Sequence, residues 1–523
     1  MRLLVSAALA TIMLSGTLFG SGKISRDLEK VNPGTPIDVI IQWNKTPGPA
    51  HHEKVAGQGG SLKQSFTVIK AGLYTIPAAA LNGLARDPEI VYISPDRKHS
   101  GLLNNAAPTV NAPAAWAAGL DGTGVGVAVI DSGVNPVDLG NRVIYNEAFG
   151  GLTDSSDQFG HGSHVAGIVA NAGAASNGVY KGVAPNVNVL NLRVLDVNGT
   201  SQDSAVIAAI QRAIQLKATH NVRVINLSMG RPVFESYTLD PLCQAVESAW
   251  KAGIVVVVAG GNNGRDNSQG TNGYATIQSP GNDPYVITVG AMKTMDTPVR
   301  ADDLVASYSS KGPTLFDHLV KPDLVAPGNL TVSTMQKNAA LYGQFPGNEV
   351  YKASYTNTSN TTNTSNIFYK LSGTSMAAPV VSGAAAILIQ KNPALTPDQV
   401  KARLMKTASK SFPLQSSSID PATGTAYLAQ YDIFTIGAGY VDVAAALAST
   451  DVAGSSALSP AVTFDAISGN VYFVFQNNAV WGTNAVWGTS LVRGFNAVWG
   501  TNAVWGTGST TSNALMVAIV GEN

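Results

Sequence analysis

Cysteine, charged side chains and net charge are all scarce in this chain of 523 residues. Its single cysteine, Cys243, excludes an intrachain disulfide framework and a cysteine-rich zinc module. The 33 basic and 33 acidic side chains cancel without long runs of one sign, which argues against a nucleic-acid binder that relies on phosphate contacts. Charged residues make up only 13% of the chain, so Gly, Ser, Thr and Asn must form much of the surface. The hydrophobic content of 45% is too high for a disordered chain.

The first 22 residues predict a secretory signal peptide. Arg2 precedes the apolar run LLVSAALATIMLSGTLFG, and the small residues Gly20 and Gly22 allow cleavage after Gly22. The alternative is an uncleaved membrane anchor, although a run of about 17 residues is at the short limit for spanning a bilayer. Because no second long apolar run occurs, we expect a soluble, exported protein that is stabilised by packing or by bound ions. We expect Cys243 to be a buried, inert thiol.

Two regions with different patterns follow. Residues 36–95 predict a small βαββαβ sandwich, and a linker rich in Asn, Ala and Pro spans about 100–113. Beyond residue 122, apolar strands alternate with helices, which predicts a parallel sheet covered on both faces. The predicted strands are GVGVAVI, VNVLNLRVL, VRVINLSM, GIVVVVA and YVITVGA, and the predicted helices lie near 161–172, 201–218, 239–252, 374–390 and 396–408.

A six-residue repeat, NAVWGT, occupies the last part of the chain. Its copies lie at 478–483, 484–489, 496–501 and 502–507. In an extended strand, an even period would keep the tryptophans on one face. Three interpretations stay open: a strip that binds a surface or polysaccharide through aligned tryptophan faces, an oligomerisation or sorting element, and a packed edge strand or processed tail.

Three short motifs carry side chains suited to catalysis. In VAVIDSG, Asp131 ends an apolar strand, where open α/β sheets place their sites, although such a residue also commonly caps the next helix. In FGHGSHVAG, His161 and His164 precede small residues at the start of a helix. A zinc site would need a third ligand, which no nearby spacing or HExxH motif supplies.

The third motif is LSGTSMAAPVVSGAAAIL. It places Ser375 at the start of a tightly buried helix, whose positive end favours developing negative charge. A helix cap or a buried hydroxyl is the alternative role for this serine. We expect the helix to begin at Ser375 and to tolerate Pro379 because it lies in the first turn.

VIDSG, HGSHVAG and GTSMAAP, in that order, resemble the signatures of the subtilisin-like serine proteases, and KPDLVAPG is a further segment typical of that family. The resemblance covers roughly 108–448, and the 36–95 module resembles the family's inhibitory propeptide. It implies an α/β fold, with helices on both faces of a parallel sheet, preceded by a small ferredoxin-like α+β domain and followed by a β-rich or irregular repeat tail. The implied domains are a signal peptide (1–22), a propeptide (23–103), a catalytic domain (104–449) and a C-terminal tail (450–523).

The resemblance also implies a role for each motif residue. Ser375 would attack the scissile carbonyl, His161 would carry its proton, and Asp131 would hold His161 in the right tautomer. Asn262, in AGGNNG, would donate to the oxyanion together with the Ser375 backbone N–H. The alternative is that Asn262 is only a turn residue. His164 matches a structural histidine of the family.

The implied substrate-binding residues are small. Extended substrates would pair with the backbone of a strand edge, which tolerates many side chains and predicts broad specificity. Small, uncharged walls favour an apolar or medium side chain before the cut, not Lys or Arg. One rim is Ser228, Met229 and Gly230, the opposite rim is Gly199, and Ala259, Gly260 and Gly261 line the pocket, with Gln278 near its floor.

The resemblance implies no cofactor for the chemistry. The family often holds structural calcium, and Asp138 lies near a position that some members use, but no metal ligand is assigned. The implied partners are protein or peptide substrates and the chain's own propeptide, with no nucleic acid. We expect a secreted monomer, with surface attachment through the tail as a further option.

Two other classes of protein stay open. One is a non-catalytic adhesin on a protease scaffold, against which the four intact residues Asp131, His161, Asn262 and Ser375 argue. The other is an α/β-hydrolase esterase, whose nucleophile would lie in a G-x-S-x-G motif ahead of its acid and base.

Overall fold

The computed structural model describes residues 23–25, 28, 31–66, 70–95, 105–356, 362–420, 423–465, 467, 470–474 and 521–522. The predicted signal peptide, residues 100–104 of the predicted linker and the NAVWGT repeat lie outside these ranges. The chain divides into two compact units, Met1–Ser100 and Gly101–Asn523. In the part of the chain that is described, no helix is long and apolar enough to cross a membrane.

The first unit contains a four-stranded antiparallel sheet in the order β2-β3-β1-β4. Alternate side chains of β1 and β3 form its core with Val55 of α1. The predicted βαββαβ order is confirmed. Its elements are β1 (Pro36–Trp43), α1 (Pro49–Ala56), β2 (Ser61–Phe66), β3 (Ala71–Pro77), α2 (Leu81–Ala85) and β4 (Ile90–Pro95).

The second unit opens with strands that alternate with helices. These elements are α3 (Ala106–Thr109), α4 (Ala112–Ala117), β5 (Gly126–Asp131), β6 (Val143–Ala148), α5 (His161–Ala170), β7 (Asn188–Arg193), α6 (Asp203–His220), β8 (Val222–Leu227), α7 (Pro241–Lys251), β9 (Val255–Ala259) and β10 (Ile287–Lys293). All five predicted strands and the first three predicted helices of this region are confirmed.

Nine further strands and four further α-helices complete the described part of this unit. These elements are β11 (Leu304–Val305), β12 (Leu324–Pro327), β13 (Thr331–Thr334), α8 (Ala340–Gln344), β14 (Glu349–Tyr351), β15 (Thr364–Leu371), α9 (Thr374–Lys391), α10 (Pro397–Thr407), β16 (Gln415–Ile419), β17 (Ala426–Gln430), α11 (Val443–Ala448), β18 (Ala461–Asp465) and β19 (Asn470–Val474). The predicted helices near 374–390 and 396–408 are confirmed as α9 and α10.

The central sheet runs in the order β11-β10-β9-β8-β5-β7-β6, and β12 also pairs with β10. Every pair in it is parallel except β10 with β11. The chain therefore has the predicted α/β fold, in which α5 packs on α9 and α6 packs on α7. In register, Ile130 of β5 lies opposite Leu227 of β8, which lies opposite Val258 of β9. The carboxyl ends of these three strands are therefore side by side.

The chain after residue 449 continues into the same core. Ala457 and Val462 are buried among the residues of the second unit, and the Ser459 hydroxyl donates to Asp323 Oδ1 at 2.5 Å. Val320 N donates to the Pro460 carbonyl oxygen at 2.9 Å. Residues 457–462 of the predicted tail are therefore packed into the unit that carries the candidate site.

Candidate active site

Three of the predicted site residues lie at the carboxyl ends of adjacent parallel strands. Asp131 is the last residue of β5, Ser228 directly follows β8, and Asn262 lies three residues after β9. In open α/β sheets this edge is where ligands bind, because the loops that leave it surround a crevice. The fold therefore brings side chains that are more than 130 residues apart in the sequence to one edge of the sheet.

Asp131 and His161 form a hydrogen-bonded pair. Asp131 Oδ1 lies 2.7 Å from His161 Nδ1 and also accepts from Ser132 N at 2.8 Å. The side chain of Asp131 is 1% exposed and that of His161 is 15% exposed, so the carboxylate is buried behind an imidazole that reaches the surface. Gly162 makes this contact possible, since an added Cβ would lie 2.2 Å from the Gly133 carbonyl oxygen. This pairing leaves His161 Nε2 as the nitrogen available for proton transfer.

The pKa values of the two histidines of the motif are shifted in opposite directions. Burial lowers the pKa of His161, but the charge and the hydrogen bond of Asp131 outweigh it and raise the pKa above the ordinary value of 6.5. Burial lowers the pKa of His164 to about 3, so this imidazole is neutral. His164 Nε2 lies 3.1 Å from the carbonyl oxygens of Thr331 and Tyr369, to which it donates. His164 is therefore held by β13 and β15.

Ser375 is the second residue of α9, which begins at Thr374. Its hydroxyl donates to the carbonyl oxygen of Ser228 at 2.9 Å. Ile130 of β5 is paired in register with Leu227 of β8, and Asp131 and Ser228 are the next residues along the chain. The bond to Ser228 therefore holds the Ser375 hydroxyl beside the end of the Asp131 strand. Among the described residues, no hydrogen bond joins Ser375 Oγ to His161 Nε2. Transfer of the hydroxyl proton to His161 would therefore require the hydroxyl to give up its bond to the Ser228 carbonyl oxygen.

The predicted place of Pro379 in the first turn of the helix is wrong. Pro379 is inside α9, one turn after Ser375, and its missing N–H deprives the Ser375 carbonyl oxygen of its helical donor. The Ser228 hydroxyl replaces that donor and lies 2.7 Å from the Ser375 carbonyl oxygen. Asn226 Nδ2 donates to the same hydroxyl at 2.9 Å, and Asn226 Oδ1 accepts from Ser382 Oγ at 2.8 Å. A buried polar network thus holds the start of the helix.

Asn262 is fixed through its oxygen. Asn262 Oδ1 accepts from Thr374 N at 2.9 Å and lies 3.1 Å from Thr374 Oγ1. Thr374 Oγ1 in turn accepts from Gly261 N at 3.1 Å. Since the oxygen is engaged, the Nδ2 group is the end of the amide that is left to donate. The same contacts place it next to the backbone that leads into Ser375.

The remaining candidate residues pack against two side chains, Phe159 and Gln278. An added Cβ on Gly199 would lie 2.5 Å from the ring of Phe159, which itself packs against the His161 ring. Met229 is half-buried and Gly230 is exposed, while Ala259, Gly260 and Gly261 are buried. An added Cβ on Gly230 or Gly261 would lie within 3.0 Å of Gln278. Gln278 is therefore wedged between the two glycine backbones.

Asp138, which lies near a calcium position of the family, is hydrogen-bonded to the backbone. Its Oδ1 and Oδ2 accept from Ala175 N and Gly173 N, each at 2.9 Å. Within the described ranges, no group of three or more His, Cys, Asp or Glu side chains is arranged to hold a metal ion. Cys243 is buried as predicted, and burial raises the pKa of its thiol.

Comparison with known proteins identifies the family. Residues 122–424 match the subtilase family of peptidases. The chain is 35% identical to the serine protease AprX of Bacillus subtilis over 67% of this chain and 76% of that protein. It is 32% identical to subtilisin E of the same species, over 68% of this chain and 79% of that protein, and 35% identical to subtilisin DY of Bacillus licheniformis, over 58% and 89%.

The chain belongs to the subtilase family. This subtilase is a subtilisin-like serine endopeptidase, so its substrates are proteins or peptides. The esterase and adhesin alternatives are therefore wrong as descriptions of the main activity. The order of the three motifs along the chain was sufficient to indicate the family.

The sequence analysis missed one residue of this subtilase's site, Asp157, and one role of a residue that it did name, Ser228. Asp157 accepts from Gly160 N at 2.6 Å, Ser163 N at 2.7 Å and Ser132 Oγ at 2.8 Å, so it joins the start of α5 to the Asp131 strand end. An aspartate just ahead of a predicted helix is a recognisable capping signal. The role of the Ser228 hydroxyl had no such signal, because it depends on a contact with Ser375, which lies 147 positions away.

Proposed function

We propose that this subtilase is a secreted endopeptidase of broad specificity, made as a self-processed zymogen, in which Ser375, His161 and Asp131 form the catalytic triad. The observation that carries the proposal is the 2.7 Å contact between Asp131 Oδ1 and His161 Nδ1 at the sheet edge where α9 presents Ser375. This arrangement supplies a nucleophile, a base and a group that orients the base.

In the first half of the reaction, Ser375 Oγ leaves the Ser228 carbonyl oxygen and turns to His161 Nε2. His161 takes the hydroxyl proton as Oγ bonds to the substrate carbonyl carbon. Asp131 keeps the proton on Nδ1 and stabilises the imidazolium with its negative charge. His161 then gives the Nε2 proton to the leaving amine, the C–N bond breaks, and an ester of Ser375 remains.

The second half of the reaction reverses these proton movements with water. His161 takes a proton from water, the hydroxide oxygen bonds to the ester carbon, and the proton returns to Ser375 Oγ as the ester breaks. In both halves the carbonyl oxygen becomes negative. Asn262 Nδ2 and the Ser375 N–H are the proposed donors to it, and the start of α9 adds a favourable dipole. The chemistry requires no cofactor.

We assign substrate binding to the two rims. The strand end from Ser228 to Gly230 would pair with an extended substrate backbone, and Gly199 would bound the opposite side. Ala259, Gly260 and Gly261 would line the pocket for the side chain before the cut, next to Gln278. These groups carry no charge, so apolar or medium side chains should be preferred over Lys and Arg. A peptide library that varies this position would test the preference.

Turnover of p-nitrophenyl acetate and casein tests the mechanism. An acyl-enzyme intermediate predicts a burst of p-nitrophenol equal to the enzyme concentration, followed by slower turnover. Ser375→Ala should lose the burst and casein hydrolysis while keeping the thermal midpoint of the parent. A burst that survives in Ser375→Ala would overturn the assignment of the nucleophile.

The first unit is the proposed inhibitory propeptide. The division of the chain into two compact units at about residue 100 supports this role, because a removable inhibitor must fold by itself. The cut would fall between about His99 and Ala106, after export directed by residues 1–22. Expression of Ser375→Ala should leave the first unit attached, whereas the parent should lose it. Normal processing of the Ser375→Ala protein would refute self-cleavage.

We propose that the NAVWGT repeat binds a surface or a polysaccharide through its tryptophans. Deleting residues 478–507 removes the repeat but keeps Gly521 and Glu522, which lie in the second unit. The deletion should reduce retention on cells or on insoluble polysaccharide while casein hydrolysis stays within twofold of the parent. Unchanged retention would overturn this role.

A further inference from the structure

Glu522 occupies a buried pocket with two cationic side chains. Its Oε2 lies 2.5 Å from Arg265 Nη2 and also accepts from the Ser307 hydroxyl. Its Oε1 accepts from Ser307 N at 2.7 Å and lies 3.5 Å from Lys293 Nζ. The side chains of Glu522 and Lys293 are each 3% exposed, and that of Arg265 is 9% exposed. Both carboxylate oxygens are thus bound.

The backbone of this segment is also bound. Glu522 N donates to Asn329 Oδ1 at 3.0 Å, and Asn329 Nδ2 donates to the Glu522 carbonyl oxygen at 2.7 Å. Gly521 has a φ of +80°, and an added Cβ there would lie 2.5 Å from Leu330 Cδ2 and 2.6 Å from Ser372 Oγ. Only glycine combines this backbone conformation with so close an approach.

The pocket contacts the two loops that flank the proposed oxyanion donors, Asn262 and Ser375. Arg265 lies three residues after Asn262 on one loop. On the other, Gly373 N donates to the Gly328 carbonyl oxygen at 2.8 Å, next to Asn329, and Leu330 N donates to Ser372 Oγ at 2.8 Å. Residues 372 and 373 directly precede Thr374 and Ser375. Glu522 therefore contacts one loop through its carboxylate and lies against the other through its backbone.

The Glu522 carboxylate lies between two cationic side chains. Arg265 also pairs with Asp420 at 3.0 Å, and Lys293 also donates to the Ser418 hydroxyl at 3.1 Å. Loss of the Glu522 carboxylate would remove the 2.5 Å ion pair of the nearly buried Arg265. Removing one partner of a buried ion pair is strongly unfavourable. Occupation of the pocket by a carboxylate therefore stabilises the local structure.

We propose that Arg265, Lys293, Ser307 and Asn329 form a carboxylate-binding site for the chain's own Glu522, and that its occupation positions the two oxyanion donors. Glu522 is a positioning residue in this account, since it acts through the loops of Asn262 and Ser375. The effect on catalysis rests on the proposed function, but the docking itself does not. Gly521 and Glu522 thus belong to the catalytic unit, whatever the repeat binds.

The test compares Glu522→Gln and a deletion of residues 521–523 with Glu247→Gln, a control on α7 whose carboxylate pairs with Lys251. Each protein is assayed for kcat and KM on a peptide substrate and for hydrogen exchange at residues 328–330 and 372–374. Both site variants should lose roughly tenfold in kcat, less than the removal of a whole donor, with KM within about twofold. Exchange should rise at both segments, and the control should match the parent.

Addition of the peptide VAIVGEN to the deletion protein separates positioning from general stability. The peptide should restore kcat and exchange protection, whereas VAIVGQN should not. Unchanged kcat and exchange in Glu522→Gln and in the deletion protein would overturn the proposal, as would equal rescue by both peptides. If the parent itself showed no hydrolysis, the proposed function would fail, while the exchange and peptide-binding measurements would still decide the docking.

Discussion

Ser228 and Ser375 exchange two hydrogen bonds in opposite directions. The Ser228 hydroxyl donates to the Ser375 carbonyl oxygen at 2.7 Å, and the Ser375 hydroxyl donates to the Ser228 carbonyl oxygen at 2.9 Å. The first bond replaces the N–H that Pro379 lacks, and the second holds the Ser375 hydroxyl against the Ser228 backbone. One residue of the proposed substrate-binding edge therefore also sets the position of the proposed nucleophile.

Ser228→Ala should destabilise the protein and slow acylation. It leaves the Ser375 carbonyl oxygen without a donor, a loss of about 1–3 kcal/mol for a buried polar group. We expect a lower thermal midpoint and a lower kcat in stopped-flow assays. Ser248→Ala is the matched control, since that hydroxyl donates to the Gln244 carbonyl oxygen on an exposed helix face.

A double-mutant cycle identifies the mechanism of this effect. Pro379→Ala restores an N–H at the position that bonds the Ser375 carbonyl oxygen in a regular helix. Ser228→Ala should therefore cost less stability in the Pro379→Ala background than in the parent. Strictly additive effects would show that the hydroxyl does not replace the missing helical donor.

Asn262 should act on kcat through its Nδ2 group. Asn262→Asp keeps an oxygen for Thr374 N but loses the donor, whereas Asn262→Ala loses both. Each should reduce kcat on the order of 100- to 1000-fold with little change in KM, a magnitude measured on subtilisin, which belongs to the same family. If the side chain served only to hold Thr374, Asn262→Asp would keep most of the parent's kcat.

The pH profile should reveal the Asp131–His161 pair. Catalysis needs a neutral imidazole, and because the pKa of His161 is raised, the acid limb of kcat/KM should lie above pH 6.5. Asp131→Asn removes the charge that raises this pKa and leaves burial, which lowers it, so the limb should move to lower pH. The rate should also fall by about 10⁴-fold, as in subtilisin and trypsin. An acid limb that does not move would contradict the pairing.

Asp157→Asn should disturb the placement of His161. An amide has one acceptor oxygen, so it cannot replace both carboxylate oxygens, which together accept from Gly160 N, Ser163 N and Ser132 Oγ. We expect a loss of about 1–3 kcal/mol in the free energy of unfolding, measured by denaturant titration, and a fall in kcat. Asp266→Asn, at a carboxylate that accepts from Ser268 N in an exposed loop, serves as the control. Equal effects of the two changes would argue against a special role for Asp157.

The sequence allowed the central fold to be predicted because its inner strands are continuous apolar runs, such as VVVV in β9. It did not indicate β6, whose residues VIYNEA are half-buried or exposed and lie at the sheet edge. The motif residues were identified because short segments such as GTSMAAP contain them whole. Local patterns were therefore sufficient to predict the sheet and to nominate the candidate site residues.

Contacts between distant segments could not be predicted in the same way. The pairing of Arg265 with Glu522 spans 257 positions, and no periodicity or motif relates the two residues. The position of Pro379 was misjudged because α9 begins one residue earlier than predicted. The helical N–H that Pro379 lacks is replaced by the hydroxyl of Ser228, which follows β8. Such compensations depend on side-chain geometry that exists only in the folded chain.

The most direct test of the central claim is to map the site of covalent labelling by a fluorophosphonate probe with mass spectrometry. The triad predicts rapid modification of Ser375 alone among the serines, with loss of labelling in Ser375→Ala and strong slowing in His161→Ala. Rapid modification of another serine, or labelling of Ser375 that does not depend on His161, would contradict the account.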